Sequence, residues 1–288
     1  MRYELVSYEP GEHRDDYLRL LREAWGPKAL SEEEFDWWFA RNPAGSLMSV
    51  ARMDGRVVGV AGHSLSRMVL DGKVETVSFS VHATTDPSAR GRGIFAALEE
   101  RHEREAAERG VAVVLGFASA PTIPIFLGPL GWTEIGRPRF WVRPLRPRRP
   151  VDAHDPLEIE DDAAASWPNH VVRDARHLTW RYVDSPRGYR TIRSDEGYAV
   201  VGRTRRGGIE AAVLADLVGG RGLLRRAIAS APGRVLVALP APEQRGLFLL
   251  HGFVPAPTTL HLMGKALAGT LNTDPRAWRF TLGDTDFF

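Results

Sequence analysis

The chain has 288 residues, enough for one large core or two of ordinary domain size. It contains no cysteine, which excludes disulfides, thiolate metal sites and a cysteine nucleophile and fits a reducing, cytoplasmic setting. The formal net charge is +2, lysine stands only at 28, 73 and 265, and there is neither a signal-peptide pattern nor an apolar run of membrane length, so the expectation is a soluble protein with no nucleic-acid or membrane partner.

In chain order, a strand is expected at Tyr3 to Val6, helices around Asp15 to Glu23 and Glu32 to Ala40, and strands at Met48 to Met53 and Val57 to His63. A hairpin follows, Arg67 to Leu70 turning at Asp71-Gly72 into Val74 to Val81. The strand alternation ends in Thr85-Asp86-Pro87-Ser88-Ala89-Arg90-Gly91-Arg92-Gly93-Ile94, a glycine-rich turn that opens a helix running to about Arg109 and ended by Gly110. Glycines at 91 and 93 let successive backbone N–H groups approach an anion, and the helix N-terminus adds about half a positive charge. The turn reads as a pyrophosphate cradle. Ala96 stands where a dinucleotide fingerprint needs its third glycine, and no Gly-Lys-Ser/Thr follows, so both nucleotide readings weaken. On the helix, Glu99, Glu100, Glu103, Glu105 and Glu108 interleave with Arg101, Arg104 and Arg109 and read as a solvated face. Val111 to Leu115 is an apolar strand, Pro121 to Leu127 a short helix, and Gly131 to Ile135 begins the next strand.

The turn resembles motif A of the GNAT superfamily of acyl-CoA N-acyltransferases in the form Pro-x-x-Arg-Gly-x-Gly-Ile. Pro87, Arg90, Gly91, Gly93 and Ile94 match, and Phe95 departs from the final small residue. Phe126 to Trp132 resembles the end of motif B, and the order β-α-α-β-β-β-α-β-α-β is that of the family. The resemblance implies an α/β fold of the α+β kind, with mixed sheets flanked by helices. It implies acetyl-CoA or another acyl-CoA as co-substrate and no metal, with the pantetheine along Ala83, Thr84, Thr85 and Asp86 and the pyrophosphate on Arg90, Gly91, Arg92, Gly93 and Ile94. It also implies direct attack of an amine on the thioester carbonyl, polarised by a strand N–H, a donor worth about 3 kcal/mol.

That reaction needs a base for the amine and a proton for the leaving thiolate. His82, on the strand just before the cradle, is the first candidate base, set against a purely structural role. The second is the C-terminus: Trp278 to Phe288 is too aromatic for a frayed tail. By resemblance to the enhanced intracellular survival proteins Phe288 could act through its carboxylate, or Asp286 or Asp284 through their side chains; core docking is the competing reading. The tyrosine that many GNAT proteins place before Leu-Gly-Phe falls here on Phe126 or Leu127, and no tyrosine occurs from 18 to 181. Either the thiolate leaves unprotonated, or water, Ser119, Thr122 or a residue of the second half serves; Ser119 could equally be a turn or N-cap serine. His63, His102, His177 and His261, with the remaining histidines, show no metal spacing.

Arg137 to Pro150 crowds arginine with proline and reads as an exposed linker, dividing an acyl-CoA-binding domain, 1–148, from a degenerate second domain, 149–288, that shapes the acceptor site. Phe35 to Gly45 repeats as Leu178 to Gly188 at a shift of 143, keeping tryptophan, aromatic, proline and glycine. Tyr198 to Arg203 and Ile209 to Leu217 read as a hairpin, Val235 to Leu239 as a buried strand and Glu243 to Leu250 as a helix. The second cradle, Leu217 to Leu224, is shorter and lacks the basic residue. The whole resembles the tandem GNAT branch that includes mycothiol synthase, and implies transfer of an acyl group to a small-molecule amine, with a noncatalytic acyl-CoA sensor or scaffold as the alternative and the oligomeric state open.

Overall fold

A computed structural model describes residues 3–146, 155–157, 167–206 and 208–286. The chain begins β1 (Glu4–Ser7), α1 (Pro10–Trp25), α2 (Glu32–Phe35), β2 (Ser46–Met53), β3 (Arg56–Leu70), β4 (Lys73–Thr85), α3 (Ile94–Glu108), β5 (Val113–Ala118), α4 (Ile123–Leu127), β6 (Thr133–Gly136) and β7 (Arg139–Pro144). It continues β8 (Asn169–Val171), α5 (Ala175–Leu178), β9 (Arg190–Ser194), β10 (Gly197–Arg206), β11 (Ile209–Val218), α6 (Arg221–Ser230), β12 (Val235–Ala238), α7 (Arg245–Leu250), β13 (Val254–Thr259), β14 (His261–Ala266) and β15 (Trp278–Arg279). Residues 57–63 and 67–70, expected as two strands, form the single long β3, and both Asp-Gly pairs lie at hairpin turns with positive φ at Asp54 and Asp71, where Asp is tolerated.

The fold is mixed α/β, and two compact units divide it: residues 1–67, 75–136 and 261–273 in the first, residues 68–74, 137–260 and 274–288 in the second. These units do not follow a single cut near 148. In the first, the strand order is β1-β2-β3-β4-β5-β14-β6, so β14 from late in the chain sits between β5 and β6, antiparallel to both. In this sheet β4 and β5 pair in parallel, while β1 with β2, β2 with β3, and β14 with β5 and β6 pair antiparallel. On one side of this sheet Tyr17 and Phe35 meet edge to face and both tilt against Phe39, contacts worth about 0.5–1.5 kcal/mol each beyond their area. On the other side Ile94 and Leu98 of α3 pack with Ala51, Val58 and Ala61. Lys265 of β14 is tied by Nζ to Glu103 Oε2 at 2.6 Å and to the Leu130 carbonyl at 2.9 Å.

The second unit holds a six-stranded sheet, β13-β7-β12-β11-β10-β9. The arginine- and proline-rich segment is therefore not a free linker over its described length: β7 is an interior strand, antiparallel to β12 and β13. Trp141 explains why, since it is 7 % exposed in the core formed with Leu224, Leu236, Phe248 and Phe253, while Pro138 and Pro144 fall just before and at the end of the strand, where proline costs least. Residues 147–150 of that segment lie outside the described residues.

The tail, 278–286, docks into this unit. Trp278, Arg279, Phe280 and Leu282 are buried, and β15 pairs in parallel with β8. Its charges are neutralised internally: Arg173 Nε lies 2.8 Å from Asp216 Oδ2 and Arg173 Nη2 2.7 Å from Asp284 Oδ2, all with side chains at most 1 % exposed. Tyr182 and Tyr198 each donate to Asp216 Oδ2, and Arg181 Nε donates to the Gly283 carbonyl at 2.6 Å. Burial alone would raise the Asp216 carboxyl, but the Arg173 and Arg279 guanidinium groups hold it below the ordinary carboxylate range.

Candidate active site

The turn between β4 and α3 has the geometry of an anion cradle. Gly91 and Gly93 take φ +75° and +76°, a left-handed conformation that side chains disfavour, and no atom lies within 4 Å of where a Cβ would stand on either. Gly93 caps α3, whose first backbone bond runs from Ala97 N to the Gly93 carbonyl, so the amides of 93–96 have no acceptor within the helix. The loop is braced at its start: Asp86 N donates to the Val58 carbonyl, Asp86 Oδ1 accepts from Ser88 N and Ser88 Oγ, and Arg90 Nε donates to the Thr85 carbonyl at 3.3 Å. Those Ser88 bonds lower the Asp86 carboxyl, keeping it ionised as a loop staple. Arg90, Gly91, Arg92 and Gly93 remain exposed, as a site for an incoming phosphate requires.

Beside the cradle the sheet forks. The β4–β5 ladder runs from Val77 opposite Val113 to Ser80 opposite Gly116 and stops there, although β4 continues to Thr85 and β5 to Ala118. Val81 to Thr85 thus face an opening that leads to the glycine turn, and Ala83, Thr84 and Thr85 are half-buried along it.

His82 stands in that stretch with φ +50°. Among the described residues three non-glycine residues have positive φ; two are the hairpin aspartates, and His82 lies within a strand. Ser78 and Ser80 point to the α3 side, where they reach His63 and Glu99. Simple alternation would send His82 the same way, but its left-handed backbone turns the ring to the opposite side, against Trp25, Trp38 and Phe39. Its carbonyl accepts from Tyr17 Oη at 3.2 Å. A left-handed non-glycine residue costs about 1–3 kcal/mol, and such strain gathers at functional sites.

Ser119 follows the end of β5 and is exposed. Its Oγ is 3.2 Å from Thr122 Oγ1, and its amide donates to that same oxygen, so the two residues close the turn that leads into α4. In α4, Phe126 is buried against Phe95 and Trp132, and Leu127 is 47 % exposed. Phe288 lies outside the described residues. Asp284 is committed to Arg173, which removes it as a free base.

The supposed solvated face of α3 is corrected by the structure. Glu99 and Glu103 are 0 % and 7 % exposed. Glu99 Oε1 accepts from Ser80 Oγ at 3.0 Å, Glu99 Oε2 lies 3.0 Å from His63 Nε2, and His63 Nδ1 lies 2.8 Å from Ser78 Oγ. Glu103 Oε1 accepts from Trp132 Nε1 at 2.6 Å. The signal was available: 94, 98, 102 and 106 form an i, i+4 series that Glu99 and Glu103 flank, all on one side of the helix. His102, on that series, is buried and held well below its ordinary pKa, first by desolvation and then by His63.

A forked parallel strand pair whose first strand turns left-handed at His82 and feeds an open glycine turn at a helix N-terminus decides the fold. It is the GNAT fold. Residues 9–135 match the family model described as an acetyltransferase (GNAT) domain. No curated protein sequence matches the chain. Solved structures with the same fold include Eis1 from Mycobacterium abscessus, 17 % identical with a TM-score of 0.61, covering 92 % of this chain and 74 % of its own. A GCN5-related N-acetyltransferase from Anabaena variabilis and a probable N-acyltransferase from Enterococcus faecalis are each 14 % identical with a TM-score of 0.65, covering 93 % of this chain and 73 % of theirs. At these identities the likeness concerns the fold alone. Among the described residues no helix is long and apolar enough to cross a membrane, and no group of three His, Asp or Glu side chains could hold a metal ion.

Proposed function

We propose that the chain is an acyl-CoA-dependent N-acyltransferase, with acetyl-CoA as the simplest donor and a small-molecule amine as acceptor. The open glycine cradle continuous with the β4–β5 fork carries this reading, because it offers one path for a pyrophosphate and the extended pantetheine behind it. Arg90, Arg92 and the amides of 91–94 hold the pyrophosphate; backbone groups of Ala83 to Asp86 hold the pantetheine. The strand amides beyond Ser80, released from β5, polarise the thioester carbonyl without reorganising.

His82 is the proposed base. Its ring, set among Trp25, Trp38 and Phe39 on the side of the sheet away from α3, meets an amine arriving from that side, while CoA arrives from the α3 N-terminus. The amine nitrogen attacks the carbonyl carbon, its proton passes to His82, and the C–S bond breaks. Ser119 at the end of β5 stays within the proposed site as a polar group near the fork, and the enzyme is proposed to be cytoplasmic.

The test is release of free CoA thiol from acetyl-CoA over a panel of aminosugars, amino acids and simple amines. Turnover with any of them supports the reading. Measurable acetyl-CoA binding without turnover on the panel would replace it with a noncatalytic acyl-CoA sensor.

A further inference from the structure

Acyl transfer leaves a thiolate, and the position expected to carry its acid falls on Phe126, which is buried, or Leu127, which is exposed, and neither side chain has a proton to give. Resting on the acyltransfer reading, we propose that His261 is the general acid that protonates the departing CoA sulfur, with Glu134 as its positioning residue.

His261 opens β14, the strand that the second half of the chain contributes to the first sheet, and pairs with Ala118, the last residue of β5. Partners across an antiparallel ladder project to the same face. That face is identified by Met263, two residues on, and by Ala118 itself, which share a core with Phe126 and Trp132. His261 therefore stands on the α4 side, level with the open end of the fork, where β5 has parted from β4 beyond Gly116. Only a methyl group faces that side at Ala118, and adjacent strands lie about 4.8 Å apart, so an imidazole on β14 is within one strand spacing of the fork.

The ring is oriented. His261 Nδ1 lies 2.6 Å from Glu134 Oε1 on β6, and the two side chains are 23 % and 24 % exposed. A carboxylate on Nδ1–H fixes tautomer and ring direction and leaves Nε2 as the position that exchanges a proton. Among the described residues, Lys265 with Glu103 and His63 with Glu99 are the other charged pairs on this side of the sheet, the two members of each already joined, and α4, Ile-Pro-Ile-Phe-Leu, adds no charge. In the step assigned, the C–S electron pair stays on sulfur and the Nε2 proton of the imidazolium passes to it, leaving CoA thiol and neutral imidazole. Solvent restores the proton once the thiol has left.

The experiment titrates the thiol of bound CoA by its thiolate absorbance, in the full chain and in His261→Gln, with His261→Asn as a second variant should the first not fold. The expected result, in the pH range where the imidazolium persists, is a bound thiolate fraction about tenfold larger in the wild type than in the variant, at unchanged CoA affinity. For any amine that turns over, His261→Gln should lower kcat by about 10²-fold and remove the alkaline limb of the pH–rate profile. Glu134→Gln should lower kcat less and keep that limb, which loss of a merely structural contact would not separate. CoA bound with the same thiol titration in both proteins overturns the assignment alone; failure of the wild type to bind CoA overturns it together with the acyltransfer reading; a His261-dependent thiol shift without amine turnover keeps the contact with sulfur and overturns only the enzyme.

Discussion

The two glycine turns of this chain start from the same strand geometry and end differently. In the first unit the ladder to the parallel neighbour ends at Ser80 and the strand at Thr85; in the second it ends at Val213 and the strand at Val218, five residues later in each case. Each strand also carries an irregularity three residues before its end, at His82 and at Ala215. After that they part. Eight residues, 86–93, separate β4 from α3, whereas Gly219 and Gly220 alone separate β11 from α6. A Cβ on Gly91 or Gly93 would meet nothing, but one on Gly219 would lie 2.4 Å from Leu223 and one on Gly220 3.1 Å from the Glu196 carboxylate. The second helix N-terminus already faces a carboxylate of its own chain, and its fork holds the tail: Gly283 is packed against the Ala215 carbonyl and Tyr182. A glycine-rich strand-to-helix turn binds an anion only when the loop is long enough to expose its amides and nothing internal has taken the place.

The contrast can be attacked from its strongest point down. Arg173→Met should strip Asp284 of its counter-charge, leave Asp216 with Arg279 alone and destabilise the second unit by about 3–5 kcal/mol, read as a fall in the denaturation midpoint. His82→Asn, chosen because asparagine tolerates positive φ, should leave acetyl-CoA affinity intact and cut kcat by about 10²-fold; an unchanged kcat would return His82 to a structural role. Gly93→Val places a β-branched residue at φ +76° and should weaken acetyl-CoA by about tenfold or more in calorimetry, the equivalent of a strain of roughly 1–3 kcal/mol.

A smaller effect concerns His177, whose pKa is lowered from 6.5 to about 4, chiefly by burial. Between those values the unfolded chain binds a proton that the folded one refuses, so stability rises with pH across this window and is lost on acidification, by up to about 1.4 kcal/mol per pH unit. His177→Gln should flatten that slope in urea titrations between pH 4 and 6.5. Least of all, Gly222→Ala lies inside α6 with only the Glu196 carboxylate within 4 Å, and should change acetyl-CoA affinity by nothing measurable. If it weakened binding as Gly93→Val does, the two turns would not be the open and closed pair described.

Local signals were legible wherever the physics is local. The repeat at a shift of 143 is the clearest case, since each copy builds a short helix continued by one π turn. Ser31 and Asp174 cap them by accepting from Glu34 N and His177 N, and the turns close with Arg41 N to the Asp36 carbonyl and Asp184 N to the Thr179 carbonyl. The glycine cradle, the hairpin turn at Asp71-Gly72 and the apolar β5 were readable for the same reason. Less was readable where the partner is remote. Glu99 and Glu103 look like surface charges until His63, Trp132 and Lys265 meet them, and His261 looks like an unplaced histidine until β14 sets it beside Glu134.

By itself the sequence determined the elements, the left-handed glycines that open the cradle, and the duplication, because turn conformation, helix caps and strand alternation depend on residues a few positions apart. Tertiary structure alone decided which strand entered which sheet. Trp141 and Met263 each sit on a strand that would suit either sheet by pattern, and they were placed by the cores they fill. That choice made an apparent linker into an interior strand and brought a histidine from the second half to the mouth of the first fork, since the burial that drives it is summed over whole cores and is invisible to any short window.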